Sequence, residues 1–164
     1  MLGQAKIDSA PRWKVRDKRK FLIAAMTELA GDAHLSLEGN LSITRVLELA
    51  EASGDETAIL KRNTIWPVQN FVVLPLESDS IKTIVASIGG TVPRGIIHIQ
   101  IEKCNKLELG LYDNFGSSFF GSRLTPEFFG RLESEGVMDG ATTMHWWPNA
   151  VSWRWMPYPQ PLAS

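Results

Sequence analysis

Apolar residues recur along this chain at two spacings, one of three to four residues and one of two, and the two alternate in blocks. Helical spacing comes first. Phe21, Ala25, Met26 and Leu29 form one stripe, while Lys18, Arg19, Lys20 and Glu28 lie off it. Asp17 stands where an N-cap belongs and Gly31-Asp32 where the helix must stop, so a helix is predicted from Asp17 to about Ala30. A second helix is predicted to open at Ser42, with Ile43, Val46, Leu47 and Ala50 inward and Gly54 as its end. A third carries Ile81, Ile84, Val85 and Ile88 and ends at Gly89-Gly90. The fourth has a full start signal, with Thr125 as cap, Pro126 in the first turn and Leu124 placed to staple onto Phe129; Gly136 ends it.

Period-two stretches lie between these blocks. In AHLSLEG, Ala33, Leu35 and Leu37 face one way and His34, Ser36 and Glu38 the other, the pattern of a half-buried strand. Phe71 to Leu74 reads as a strand that ends, or lies at a sheet edge, because Pro75 follows. Residues 57–68 show neither period. GIIHIQIEKCNKLELGLYDNF predicts a hairpin centred on Asn105, pairing Ile101 with Leu109 and Ile99 with Leu111. On its other face His98 then meets Tyr112, Gln100 meets Gly110, and Glu102 meets Glu108. A last hairpin is expected around Pro148-Asn149, with Trp146, Trp153 and Trp155 on a core-closing face and Trp147 out of phase with them.

Helices and strands without a regular βαβ alternation imply an α+β fold: a single domain with a largely antiparallel sheet and helices packed on one face. The organisation expected is a basic N-terminal arm over residues 1–16, the domain over 17–156 and a Pro-rich tail over 157–164. A length of 164 residues suits one core, and 44% apolar with 21% charged residues is globular in composition.

Charge changes the picture more than composition does. Net charge is −1, yet residues 1–20 carry seven Lys/Arg against two Asp, so the remainder is an acidic body at −6. No apolar leader and no membrane-length apolar run is present, and one cysteine, Cys104, leaves no disulfide framework; a cytoplasmic protein is expected.

Motifs with dedicated chemistry are scarce. GSSFFGSR, residues 116–123, has the glycine spacing of a phosphate loop but no lysine to reach the phosphates, and reads instead as a connector with Phe119 and Phe120 in the core. His34, His98 and His145 lie at no ligand spacing, so neither a metal nor a cofactor is expected. One hairpin face gathers His98, Tyr112, Asp113 and Glu102, which offer acid, base and donor groups for a small-molecule enzyme. Arg12, Lys14 and Arg16 around Trp13 could follow a nucleic-acid backbone and stack a base, although the acidic body opposes a long polyanion and favours docking of the arm onto itself.

The function these observations favour is a non-enzymatic protein-interaction module of the immunity or accessory type, binding a protein partner of basic character through Glu102, Glu108 and Trp147. Catalysis at His98, Tyr112 and Asp113, and nucleic-acid binding through the arm, are the alternatives.

Overall fold

Asp17 does cap the first helix: its carboxylate accepts the Lys20 N–H at 2.9 Å, and α1 runs Lys18–Leu29. The computed structural model describes residues 13–52, 56–140 and 152–155. Phe21, Leu22, Ala25, Met26 and Leu29 turn inward, and the chain leaves through Gly31 at φ 94°, a left-handed conformation that suits glycine. Lys103 closes the exit, its Nζ donating to the carbonyls of Leu29, Ala30 and Gly31 at 2.7–3.0 Å. A cation on the last carbonyls is the favourable sign for a helix C-terminus.

Strand β1 (Lys14–Val15) precedes α1; β2 (Ala33–Gly39), β3 (Asn70–Leu76), α2 (Ile81–Ile88), β4 (Ile96–Lys103), β5 (Lys106–Tyr112), β6 (Ser117–Gly121), α3 (Pro126–Ser134), β7 (Met138–Asp139) and β8 (Ser152–Trp155) follow. Six strands make one antiparallel sheet in the order β3-β2-β4-β5-β6-β8, and β1 pairs with β7 in a separate ribbon. The basic arm is therefore docked over Lys14–Arg16. Arg16 also bonds Asp139. Strand β3 is an edge strand and continues through Pro75, whose missing N–H costs no ladder bond on the open side.

One face of the sheet carries Leu35, Leu37, Val72, Leu74, Ile99, Ile101, Leu109, Leu111 and Phe120, all in a single buried cluster with the inward residues of α1, α2 and α3. The α+β class, the antiparallel sheet and the helices on one face stand as the sequence predicts. So do the caps of α1 and α3, where Thr125 Oγ1 accepts from Phe128 N at 3.3 Å.

Three elements differ. Residues 41–52 form 3-10 turns over Leu41–Ile43 and Val46–Ala52 instead of an α-helix, and of Ile43, Val46 and Leu47 in the expected stripe only Val46 is deeply buried. Ile43 and Leu47 stay 54% and 37% exposed. Arg45 N–H donates to Ser87 O and Thr44 N–H to Leu41 O, so local and α2 carbonyls take the donors a continuous helix would use internally. Gly54, the expected stop, lies outside the described residues. Second, GSSFFGSR forms no loop: Ser117–Gly121 is strand β6, with Phe120 in the core and Phe119 half-buried on the opposite face. Third, the β4-β5 register holds for Ile99–Leu111, Gln100–Gly110 and Ile101–Leu109, then shifts at a bulge that sets Glu102 opposite Leu107, so the Glu102–Glu108 cross-strand pair does not form.

Strand β8 pairs with β6 in the register Trp153 opposite Phe120 and Trp155 opposite Ser118. Trp146, Trp147 and the 157–164 tail lie outside the described residues, as does Arg12. Among the described residues no helix is long and apolar enough to cross a membrane.

Leu37 is fully buried and Leu47 is not. Leu37→Ala is expected to cost about 2–5 kcal/mol of unfolding free energy, and Leu47→Ala to stay within about 0.5 kcal/mol, in urea titrations of each variant.

Candidate functional site

The opposite face of the sheet is polar, and it is buried. Ser36, Glu38, His98, Gln100, Glu102 and Glu108 all lie under 9% exposure. The sequence shows how this layer is arranged: β2 reads His34-Leu-Ser-Leu-Glu38 and β4 reads His98-Ile-Gln-Ile-Glu102, the same His-x-polar-x-Glu pattern twice. Antiparallel pairing inverts one against the other, so His34 stands opposite Glu102, Ser36 opposite Gln100 and Glu38 opposite His98. Each end of the ladder thus holds one imidazole and one carboxylate, and Ser36 Oγ donates to Gln100 Oε1 at 3.4 Å in the middle.

A carboxylate taken out of water must find donors or lose several kcal/mol. Each of the three here finds them. Glu38 accepts the backbone N–H of Asn63 and of Thr64, both at 2.8 Å. Glu102 lies 3.2 Å from His34 Nδ1 and accepts Thr57 Oγ1–H at 3.3 Å. Glu108, the bulged residue, meets Arg123 through Nε at 3.3 Å and its backbone N–H at 3.2 Å. Glycine makes room for that last carboxylate, since a Cβ on Gly121 would stand 2.1 Å from Glu108 Oε2. Likewise Tyr112 folds over Gly110, where a Cβ would stand 2.4 Å from its hydroxyl.

Three of these donors belong to one stretch. Thr57, Asn63 and Thr64 lie in residues 56–69, the segment without period, which crosses the polar face as a strap. His98 completes its fastening. Asp113 N–H donates to Nδ1 at 3.3 Å, which leaves Nε2 to carry the ring proton and donate to Thr64 Oγ1 at 3.1 Å. Leu60, fully buried, and Val73 are buried outside the helix-side cluster, the apolar counterpart of the same covering. Beyond its anchor at Thr64 the strap turns outward: Ile65, Trp66 and Val68 are 91%, 84% and 73% exposed.

The hairpin-face residues proposed for catalysis are therefore close together. His98 and Tyr112 have ring centroids 5.7 Å apart, Gln100 Nε2 donates to the Tyr112 hydroxyl at 3.3 Å, and Asp113 is exposed on the following turn. Both nitrogens of His98 are engaged by the protein, so the ring acts here as a bridge between strap and turn. That turn is unusual, with Asp113, Asn114 and Phe115 all at positive φ (51°, 52° and 70°). Asn114 holds it by donating to the carbonyls of Ile96, Pro93 and Ile97.

Of the binding residues expected from sequence, Glu102 and Glu108 lie inside the layer, at 5% and 2% exposure, and not on the surface. Trp13 packs edge-on to Phe120, Lys14 is exposed in β1, and Arg16 is tied to Asp139. Sequence reasoning missed Glu38, Thr57, Thr64 and Trp66. The repeated His-x-polar-x-Glu pattern was the available signal for the first. Among the described residues no cluster of three metal-ligating side chains forms.

Glu38→Gln keeps the shape and one acceptor oxygen but sets an amide N–H against one of the two backbone donors. It is expected to lower stability by about 1–3 kcal/mol and to speed hydrogen exchange at the Asn63 and Thr64 amides while leaving α2 amides unchanged. Uniform acceleration across the domain would show that Glu38 does not hold the strap locally.

Comparison with known protein families, with curated proteins and with solved structures finds no match to this chain.

Proposed function

We propose that this protein is a non-enzymatic, cytoplasmic protein-interaction module, and that its principal contact is the apolar tip Ile65-Trp66-Pro67-Val68. The observation that carries the reading is the pairing of an exposed tip with a fixed base. Three large apolar side chains within four positions face solvent, while the residue before them is hydrogen-bonded to buried Glu38 and His98.

Exposed tryptophan on an anchored loop is the kind of residue that dominates interface energetics, because it buries much area and loses little entropy when its backbone is already set. A partner with an apolar recess suits the tip. Residues counted as contacts from sequence, Glu102 and Glu108, contribute from beneath by holding Thr57 and Arg123. An exposed, free Cys104 agrees with a reducing compartment.

The decisive comparison is recovery of a stoichiometric protein partner from nuclease-treated host lysate by wild type and by the double variant Ile65→Ser/Trp66→Ala, with thermal melting of both. The expected outcome is a partner lost from the variant at unchanged melting temperature, with photo-crosslinks placed on residues 65–68. Equal recovery by both proteins, or a complex formed only with a second copy of this chain, would overturn the reading.

A further inference from the structure

Several cations in this chain are paired with carboxylates: Arg16 with Asp139, Arg45 with Glu48, Lys61 with Glu56, Arg131 with Glu28, and Arg123 with buried Glu108. Lys14, Lys82 and Lys106 have no such pair among the described residues, and neither do Lys18, Arg19, Lys20 and Arg94, of which the first three line one concavity and Arg94 acts on Lys18. This concavity, of about 450 Å3, opens between the start of α1 and the α2–β4 connection, lined by Arg16, Lys18, Arg19, Lys20, Thr91 and Val92 among others. Its one acidic residue, Asp17, is engaged by the Lys20 N–H as a helix cap.

A scatter of solvated lysines would need no explanation, but these cations are held. Arg19 Nε donates to Gly89 O at 3.1 Å, which ties α1 to the end of α2 across the concavity. Lys18 Nζ bonds Asn114 and lies 5.4 Å from the centre of the Phe115 ring. Burial first, and the neighbouring Arg94 second, hold the Lys18 ammonium below its ordinary range. The fold thus keeps positive charge together, with Asp17 the single carboxylate among the residues lining the concavity. Anionic oxygens in the concavity would remove that imbalance.

We propose that this concavity binds a phosphate-bearing ligand. Phosphoryl oxygens match what the site presents, a guanidinium fork on Arg19 and the ammonium of Lys20, with the charge of Arg94 outside the lining but acting on Lys18. Its volume lies within the roughly 300–1,000 Å3 of small-molecule sites. The same chemistry could come from a phosphorylated metabolite or from a nucleic-acid strand, and the two are separable. The site is distinct from the Trp66 tip, so neither proposal depends on the other.

The test follows backbone amide shifts of the full chain at low ionic strength while inorganic pyrophosphate is added, and separately an oligothymidylate of about 12 nucleotides. It uses wild type, the exposed double variant Lys20→Ala/Arg94→Ala, and Lys14→Ala as a cation outside the concavity. Saturable shifts are expected at residues 18–20 and 90–92, with affinity reduced about tenfold or more in the double variant and little changed in Lys14→Ala. Tighter binding of the oligonucleotide, lost in the same variant, assigns the ligand to nucleic acid; pyrophosphate binding without it assigns a small phosphate ester. Absence of saturable shifts with either probe, or binding that Lys14→Ala weakens as much as the double variant does, overturns the site.

Discussion

A buried carboxylate must be met by donors, and three of them on one sheet face decide how this molecule is closed. Glu38, Glu102 and Glu108 project from the side of the sheet that the helices do not cover. An open antiparallel sheet could leave that side to water at little cost. Here residues 56–69 lie across it and the three carboxylates are buried, so each requires donors supplied from the covering segment or from a neighbouring strand end. Asn63, Thr64, Thr57 and Arg123 supply them. The strap is therefore positioned by directional bonds more than by apolar contact, with Leu60 as its deepest apolar anchor.

Direction has consequences for what the strap can display. Apolar packing alone tolerates sliding by a residue or two, because area is conserved when neighbouring side chains exchange places. Two backbone N–H groups on one carboxylate, with the Thr64 hydroxyl on His98, tolerate it less: a shift by one residue would carry the hydroxyl away from His98 and leave that buried ring nitrogen without its partner. Trp66, two residues past that anchor, is thereby held at a fixed place on the surface although its own side chain touches solvent. The cost of exposing it is met by the buried layer below.

Much of the fold was legible in the sequence because its signals are local. Asp17, Thr125 and the glycines at 31, 89 and 136 announce helix ends through capping and left-handed geometry, and the hairpin register followed from keeping Ile99, Ile101, Leu109 and Leu111 on one face. What failed to show depends on tertiary partners. Alternation in AHLSLEG and IIHIQIE distinguishes two faces but not water from a covering strap, so Glu102 and Glu108 read as surface charges. The bulge after Ile101 moves Glu108 by one place, which no hydrophobic period registers. Phe119-Phe120 between serines and glycines looks like a loop until β5 and β8 supply its ladders. The Ile43–Ala50 stripe has helical spacing, yet Ser87 draws off the Arg45 N–H and the chain tightens into 3-10 turns.

The charge asymmetry of the chain acquires a structural meaning once pairing is considered. The acidic body is less acidic on its surface than its sequence suggests, since Glu38, Glu102 and Glu108 are enclosed. The basic N-terminal region moves the other way. Docking of β1 onto β7 uses one of its cations, Arg16, and leaves Lys18, Arg19 and Lys20 without carboxylate partners beside Arg94. Folding thus sorts the charges, with negative groups drawn into the strapped face of the sheet and positive ones gathered where α1 begins. An interaction surface built on Trp66 and an anion site built on Lys20 and Arg94 are separate products of that sorting, and each rests on its own residues.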